Sequence, residues 1–323
     1  MLPITANNVN DAYHEGLWRM RILGVESDSR NGKVKRIPGP VATTYKRPEQ
    51  RMLLDPRRDA NPFFHIFEGI WMLAGRNDVK WISQFNSHIA SYSDDSATFH
   101  GAYGHRWREH WQKDQLIWII EHLRKNPTSR RAVMAMYDPI ADQWDKDNEV
   151  PLDIPCNTTV YFGISGGTLN MTVCCRSNDM IWGCYGANAV HMSMLQEFVA
   201  RALGINVGWY VQFSNDFHIY ERHFDLLNTV PSEDYTKRMI EGHEPLIAQG
   251  YWGRDIIQFE QWLDAPDGTY NTPYIQRVLR PMLRTWRAYK MGDREQAMVE
   301  ASFVRDMAVQ MACVGWLERR KWA

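Results

Sequence analysis

The chain has 323 residues, with 37 lysines and arginines against 38 aspartates and glutamates, a formal charge of −1. Charged residues make up 23% and apolar residues 44%, as in an ordinary globular protein; the near-neutral balance argues against a DNA-coating or polybasic membrane-binding protein but leaves room for a local anion site. Fourteen tryptophans exclude wholesale disorder, and the length suits one large domain or two average ones.

In chain order, residues 1–15 lack the basic-then-apolar layout of a secretory signal. Residues 8–23 predict an amphipathic helix, followed by a polar loop from Glu26 to Arg36. Phe63 to Ala74 is strongly apolar around one acid, Glu68, and predicts a buried helix that ends near Gly75. Gln115 to Lys125 predicts another helix, closed by Asn126-Pro127. Strand-like runs follow at 131–137, 158–164 and 168–175, the last two joined as a hairpin by Ser165-Gly166-Gly167. Ile154 to Cys175 is the longest uncharged stretch, and it reads as strand–turn–strand, not as a bilayer span. His191 to Leu203 carries apolar doublets at 194/195, 198/199 and 202/203, a helical stripe stopped by Gly204. Residues 206–213 predict a strand, and the chain from about 232 onward is mostly helical with a break at 265–273. No internal repeat is visible. Strands and helices mix without regular βαβ alternation, which favours the α+β class.

The five cysteines, Cys156, Cys174, Cys175, Cys184 and Cys313, are odd in number and lack CxxC spacing. That argues against a disulfide framework or a metal site and for a reducing cytoplasm. Pro155-Cys156-Asn157 lies at the mouth of the first hairpin strand. A cysteine there is an attacking thiolate if nearby cations lower its pKa, and otherwise a small core residue. Arg176-Ser177-Asn178-Asp179 ends the second hairpin strand and meets Cys156 only if the register brings the two ends together.

Other motifs join these in a fixed order: Phe67-Glu68-Gly69-Ile70-Trp71, Ala102-Tyr103-Gly104-His105-Arg106-Trp107-Arg108, Pro127-Thr128-Ser129-Arg130-Arg131, Pro155-Cys156, Arg176-Ser177-x-Asp179, Asn188, and Asp216-Phe217-His218-Ile219-Tyr220. In order and spacing the set resembles the thymidylate synthase family, including its pyrimidine nucleotide hydroxymethylase branches, over roughly residues 8–228. The resemblance implies an α+β fold of mixed or antiparallel sheet packed with helices. It implies a catalytic core over residues 1–230 and a mostly helical region, 231–323, packed on the same domain.

A pyrimidine ring is not nucleophilic at C5 until a thiolate adds at C6. The resemblance implies that Cys156 is that thiolate and that Glu68 and Tyr103 are its catalytic companions, Glu68 acting on proton transfers and an ordered water. It implies 5,10-methylenetetrahydrofolate as the one-carbon source. Arginine's planar fork suits phosphate. Arg30, Arg176 and Ser177 would hold the nucleotide phosphate, and Arg130 and Arg131 would reach across a homodimer to the other subunit's phosphate. His218 and Tyr220 would hold the sugar, Asn188 and Asp179 the base, and Asp179 and Glu68 the folate. A pyrimidine nucleoside monophosphate is the implied partner, with neither nucleic acid nor membrane.

Departures from the family pattern bear on the product. Pro-Cys-His is Pro-Cys-Asn157 here, and the base-reading Asn falls one residue late, as if Trp182 to Ala187 held one insertion. No Trp lies between Ile82 and Arg106, where the synthases wall the one-carbon unit, and Glu318, Arg319, Arg320 and Lys321 stand where an apolar lid is expected. Hydride transfer needs a closed, dry site, whereas hydration needs an admitted water. The reading is therefore C5 hydroxymethylation of dUMP or dCMP, with CMP left open. The alternatives are reductive methylation and a non-catalytic nucleotide- or RNA-binding protein, and Cys156 together with Glu68 speaks against the latter.

Overall fold

Residues 1–143, 150–228 and 242–322 are described by the computed structural model. The larger sheet holds β1 (Leu2–Ala6), β4 (Val41–Tyr45), β5 (Val133–Ala135), β6 (Asn157–Ser165), β7 (Thr168–Cys175) and β9 (Asn206–Ser214), in the order β1-β4-β9-β7-β6-β5. A smaller sheet holds β2 (Val25–Ser29), β3 (Gly32–Arg36), β8 (Asn178–Asp179) and β10 (Phe217–Tyr220), in the order β2-β3-β10-β8. β1 pairs parallel with β4 and β7 parallel with β9, while β4–β9, β6–β7 and β5–β6 are antiparallel, so the sheet is mixed. The β6–β7 hairpin turns at Gly166 and Gly167, both with positive φ (59° and 75°), the pair of conformations a two-residue turn needs to match strand twist.

Two strand expectations need correction. Glu26 to Arg36 is not a loop but most of the β2–β3 hairpin; of its residues only Val34 is buried, so there was no apolar alternation to read. The run at 131–137 keeps only Val133–Ala135 as strand, because β5 is a short edge strand paired with β6 alone.

The predicted helices form α1 (Val9–Leu23), α2 (Pro62–Leu73) and α5 (Gln115–Lys125), with short α3 (Val79–Ile82), α4 (Tyr103–Arg108) and α6 (Pro139–Gln143) between and after them. Asn61 caps α2, accepting from the Phe64 amide, and Pro62 occupies its first turn, where no amide proton is missed. Every residue of α2 except Glu68 is buried. α7 (Asn188–Leu203) lies against α2 and ends at Gly204 in the left-handed conformation, as its stripe predicted. The two helices approach closely: a Cβ on Gly69 would sit 2.4 Å from the Met194 sulfur.

The 230/231 boundary lies outside the described residues. Beyond it, α8 (Trp252–Asp264), α9 (Arg280–Lys290), α10 (Arg294–Ser302) and α11 (Met307–Glu318) pack on the core. Trp262 meets Phe67, and Trp286 and Trp316 both meet Phe63, with ring centroids 5.3–5.7 Å apart. Among the described residues no helix is long and apolar enough to cross a membrane.

A buried charge node ties this helical region to α7. Glu197, fully buried, pairs with Arg51, with Arg201 (2.9 Å) and with His243 (3.0 Å), and accepts from the Leu246 amide. His243 also reaches Asp306 at 2.9 Å. Burial works against its protonation, but the pull of Glu197 and the hydrogen bonds to Asp306 and Glu197 raise its pKa to about 9. A histidine whose folded pKa exceeds its unfolded value adds stability that is complete below about 6.5 and lost as pH rises through about 9. The gap in thermal midpoint between the wild-type protein and His243→Gln should therefore shrink from pH 6 to pH 9.5. Glu197→Ala, which strands the buried Arg51 charge, should cost about 3–5 kcal/mol in denaturant unfolding.

Candidate active site

The hairpin register answers the question the sequence left open. β6 and β7 pair down to Asn157 opposite Cys175, with an irregularity between Asn157 and Thr159, and the Arg176 amide donates to the Cys156 carbonyl at 2.8 Å. The Arg176 guanidinium is held by the Pro155 and Ile154 carbonyls (2.9 and 3.0 Å). On the other side, the Tyr103 phenol oxygen accepts from both the Cys156 and Asn157 amides (3.2 and 3.1 Å). That phenol is buried, and burial followed by the neighbouring Cys156 pushes its pKa well above the ordinary value, so Tyr103 keeps its proton and acts here as a fixed acceptor.

Cys156 opens into a cavity of about 520 Å³. Arg30, Arg176, Ser177, His218 and Tyr220, all predicted, line it with Cys156. Arg30 comes from the β2–β3 turn, Arg176 and Ser177 from the chain between β7 and β8, and His218 and Tyr220 from β10, where two-residue spacing places them on one face. Their rings stand perpendicular, with centroids 5.2 Å apart. His218 Nδ1 and Arg36 approach Asp216 at 3.1 and 3.5 Å. Burial raises the Cys156 pKa above the usual thiol value; Arg176 and Arg30 pull it down and Asp153 pushes it up. Of the two cases the sequence left open for this thiol, the cations are present but desolvation outweighs them.

Other predicted residues lie outside that lining. Glu68 Oε2 and His191 Nε2 are in contact at 3.1 Å but not aligned for a hydrogen bond, and neither atom has another hydrogen-bond partner among the described residues. Asn188 sits in a buried chain of amides. Asn157 Nδ2 donates to Asn188 Oδ1 (2.9 Å), Asn188 Nδ2 to Asn178 Oδ1 (3.2 Å), and Asn178 Nδ2 to the Ser214 hydroxyl (2.8 Å). Met180–Ala187, where the sequence read one extra residue, winds as a π-helix bent at Gly186. A π-turn takes in an added residue without breaking the helix. Asp179 caps this segment through the Ile181 amide (2.8 Å). Arg130 and Arg131 are exposed just before β5 and do not line the cavity.

Sequence reasoning missed Asp153, which lines the cavity three residues before Cys156. An acid within the otherwise uncharged run Val150–Cys175 was the available signal. Trp182, outside the stretch searched for tryptophans, is 46% exposed with the Arg58 guanidinium 5.6 Å from its ring, and it does not line this cavity. Arg319 and Arg320 are ion-paired to Asp59 at the surface, and Trp322 packs on Tyr289.

Fold and site together define a nucleotide-modifying α+β enzyme framework built around a strand-end thiol. Residues 23–239 match the thymidylate synthase family model, and the chain belongs to that family. Along its whole length it is 42% identical to a deoxyuridylate hydroxymethyltransferase of Pseudomonas phage M6, covering 95% of that protein. It is 35% identical to a deoxyuridylate hydroxymethyltransferase of Bacillus phage SP01, over 59% of this chain and 51% of that one. Its fold resembles the crystal structure of thymidylate synthase from T4 phage, with a TM-score of 0.53 at 20% identity, covering 68% of this chain and 82% of the other.

Cys156→Ala should abolish exchange of the C5 hydrogen of dUMP with D2O while leaving nucleotide binding, followed by calorimetry, within about threefold. Because burial holds the thiol neutral, exchange by the wild-type protein should rise with pH through the neutral range. Arg176→Ala, which removes a group that lowers the Cys156 pKa, should move that rise to higher pH.

Proposed function

We propose that this protein transfers a one-carbon unit to C5 of dUMP and releases the 5-hydroxymethyl nucleotide. The observation that carries this reading is the placement of Cys156 beside Arg30, Arg176, Ser177, His218 and Tyr220 in one cavity. The full-length likeness to a deoxyuridylate hydroxymethyltransferase supports the base and the product.

Arg30, Arg176 and Ser177 bind the phosphate, with fixed donors converging from two strand ends. His218 and Tyr220 hold the sugar hydroxyl. Asn188 reads the base with one acceptor and one donor, and its neighbours Asn157 and Asn178 hold its amide plane. Cys156 adds at C6, which makes C5 nucleophilic, and Glu68 moves protons at the base. Bound 5,10-methylenetetrahydrofolate supplies the one-carbon unit at the oxidation level of formaldehyde. Trp182 fits a flat pterin as an exposed ring, and Asp179 fits its amide edge with the carboxylate oxygen left over from capping Ile181.

A homodimer completes the phosphate site. Val133, Tyr161 and Trp209 are 38–48% exposed, while their strand neighbours Met134, Val160 and Tyr210 are buried, so one face of the large sheet is apolar and uncovered. A second copy covers that face and receives Arg130 and Arg131 at its phosphate. The free thiols suit a reducing cytoplasm.

Incubation with dUMP and methylenetetrahydrofolate should add the mass of CH2O to the nucleotide and yield tetrahydrofolate, with no rise in the dihydrofolate absorbance band. A methylated nucleotide formed in step with dihydrofolate would make the protein a reductive synthase. Inactive Cys156→Ala and Arg131→Ala chains, mixed and refolded together, should regain activity as heterodimers; no recovery would place Arg131 outside a shared site.

A further inference from the structure

The cavity holds a carboxylate whose chemistry is still unassigned. Asp153 stands on the segment leading into Cys156, and the Gly101 amide donates to its Oδ2 at 3.0 Å. Its Oδ1 has no protein partner among the described residues. The turn beneath it is tightly packed: a Cβ on Gly101 would lie 2.6 Å from the Asp153 carbonyl oxygen and 3.0 Å from Pro155. The other carboxylate of the cavity, Asp216, is engaged with Arg36 and His218. Asp153 therefore presents one anchored and one free oxygen to the space that Cys156 faces.

We propose that Asp153 is the general base that takes a proton from the water adding to the one-carbon unit on the nucleotide, a role that rests on the hydroxymethylation reading above. The water oxygen bonds to the exocyclic methylene carbon, and its proton passes to Asp153. The electrons of the C5–methylene double bond move into a C4–C5 enolate. The enolate re-forms C5=C6 and expels the Cys156 thiolate, which recovers the proton from Asp153. No electron donor or acceptor is needed.

The surroundings suit this order of events. Burial raises the Asp153 pKa, which makes the carboxylate a stronger base than an exposed one. Glu68 raises it further, while the Gly101 amide, His100 and Arg106 oppose the rise, the last two being themselves tied to Asp142. Asp153 and Cys156 are like-charged when both ionise, so each disfavours the other's anion. Once Sγ is bonded to C6 the thiolate charge is gone, and the Asp153 carboxylate no longer meets that repulsion at the stage when a base is required.

The step can be isolated without folate. 5-Hydroxymethyl-dUMP incubated with the full-length protein in H2 18O should acquire solvent oxygen, by loss and re-addition of water on the Cys156 adduct. Asp153→Asn, which keeps an acceptor for the Gly101 amide, should slow that exchange about 100-fold or more. It should leave the high-pH plateau of C5-hydrogen exchange of dUMP, a measure of Cys156 addition, within about threefold while moving the rise of that exchange to lower pH, and it should flatten the pH dependence of oxygen exchange. Oxygen exchange in Asp153→Asn at the wild-type rate would overturn the proposal and leave the function standing. Equal loss of both exchanges would also overturn it, because Asp153 would then serve thiol addition. Absence of oxygen exchange in the wild-type protein would remove the hydroxymethylation reading itself, and the proposal with it.

Discussion

The hydrogen bond from the Arg176 amide to the Cys156 carbonyl joins two strand ends that lie twenty residues apart in sequence. One register of β6 on β7 makes that bond, and the same register sets the thiol beside a guanidinium, with Ser177 and then Asp179 following in line. A slip of one residue would turn Cys156 to the opposite face of the sheet and separate it from the cavity. Around this junction the other groups arrive from separate elements: a phenol from α4, a turn arginine from the β2–β3 hairpin, and the β10 pair. The site is thus only as exact as the strand pairing beneath it, and that pairing is closed by the local Gly166-Gly167 turn and flanked by β5 and β9.

Charge in this centre is arranged to be conditional. Two arginines favour the thiolate, but burial and Asp153 outweigh them. A nucleotide phosphate entering the cavity would engage those arginines, leaving deprotonation to groups near the base. Glu68 is the only residue of α2 that is not buried, and it meets His191 of α7 with both atoms short of a hydrogen bond. The close α2–α7 approach at Gly69 holds that contact fixed, so the carboxylate is positioned by packing and not by a flexible loop.

The parts of the fold written in apolar periodicity were readable: α1, α2, α5, α7 and the β6–β7 hairpin carry stripes or alternation that follow directly from which faces are buried. The β2–β3 hairpin was not readable, because Val34 alone of the residues taken for a loop is buried and the rest look like polar loop. Cys156, Arg176 and His218 could be named in advance as candidates through the family resemblance, and they line one cavity. Asp153 could not, since a lone acid near a proline has many ordinary explanations and only the cavity distinguishes it.

The amide chain from Asn157 to Ser214 has a consequence for how the base preference of such a site can change. An Asp at position 188 would accept hydrogen bonds but donate none, and would face the Asn178 oxygen across 3.2 Å. Rotating the Asn178 amide by half a turn turns its nitrogen toward the new carboxylate and its oxygen toward Ser214. A hydroxyl donates as readily as it accepts, so Ser214 closes the chain in either sense. The donor polarity of the chain can thus be reversed at its terminus without moving a backbone atom, and a single substitution at position 188 need not wait for a second one in the core.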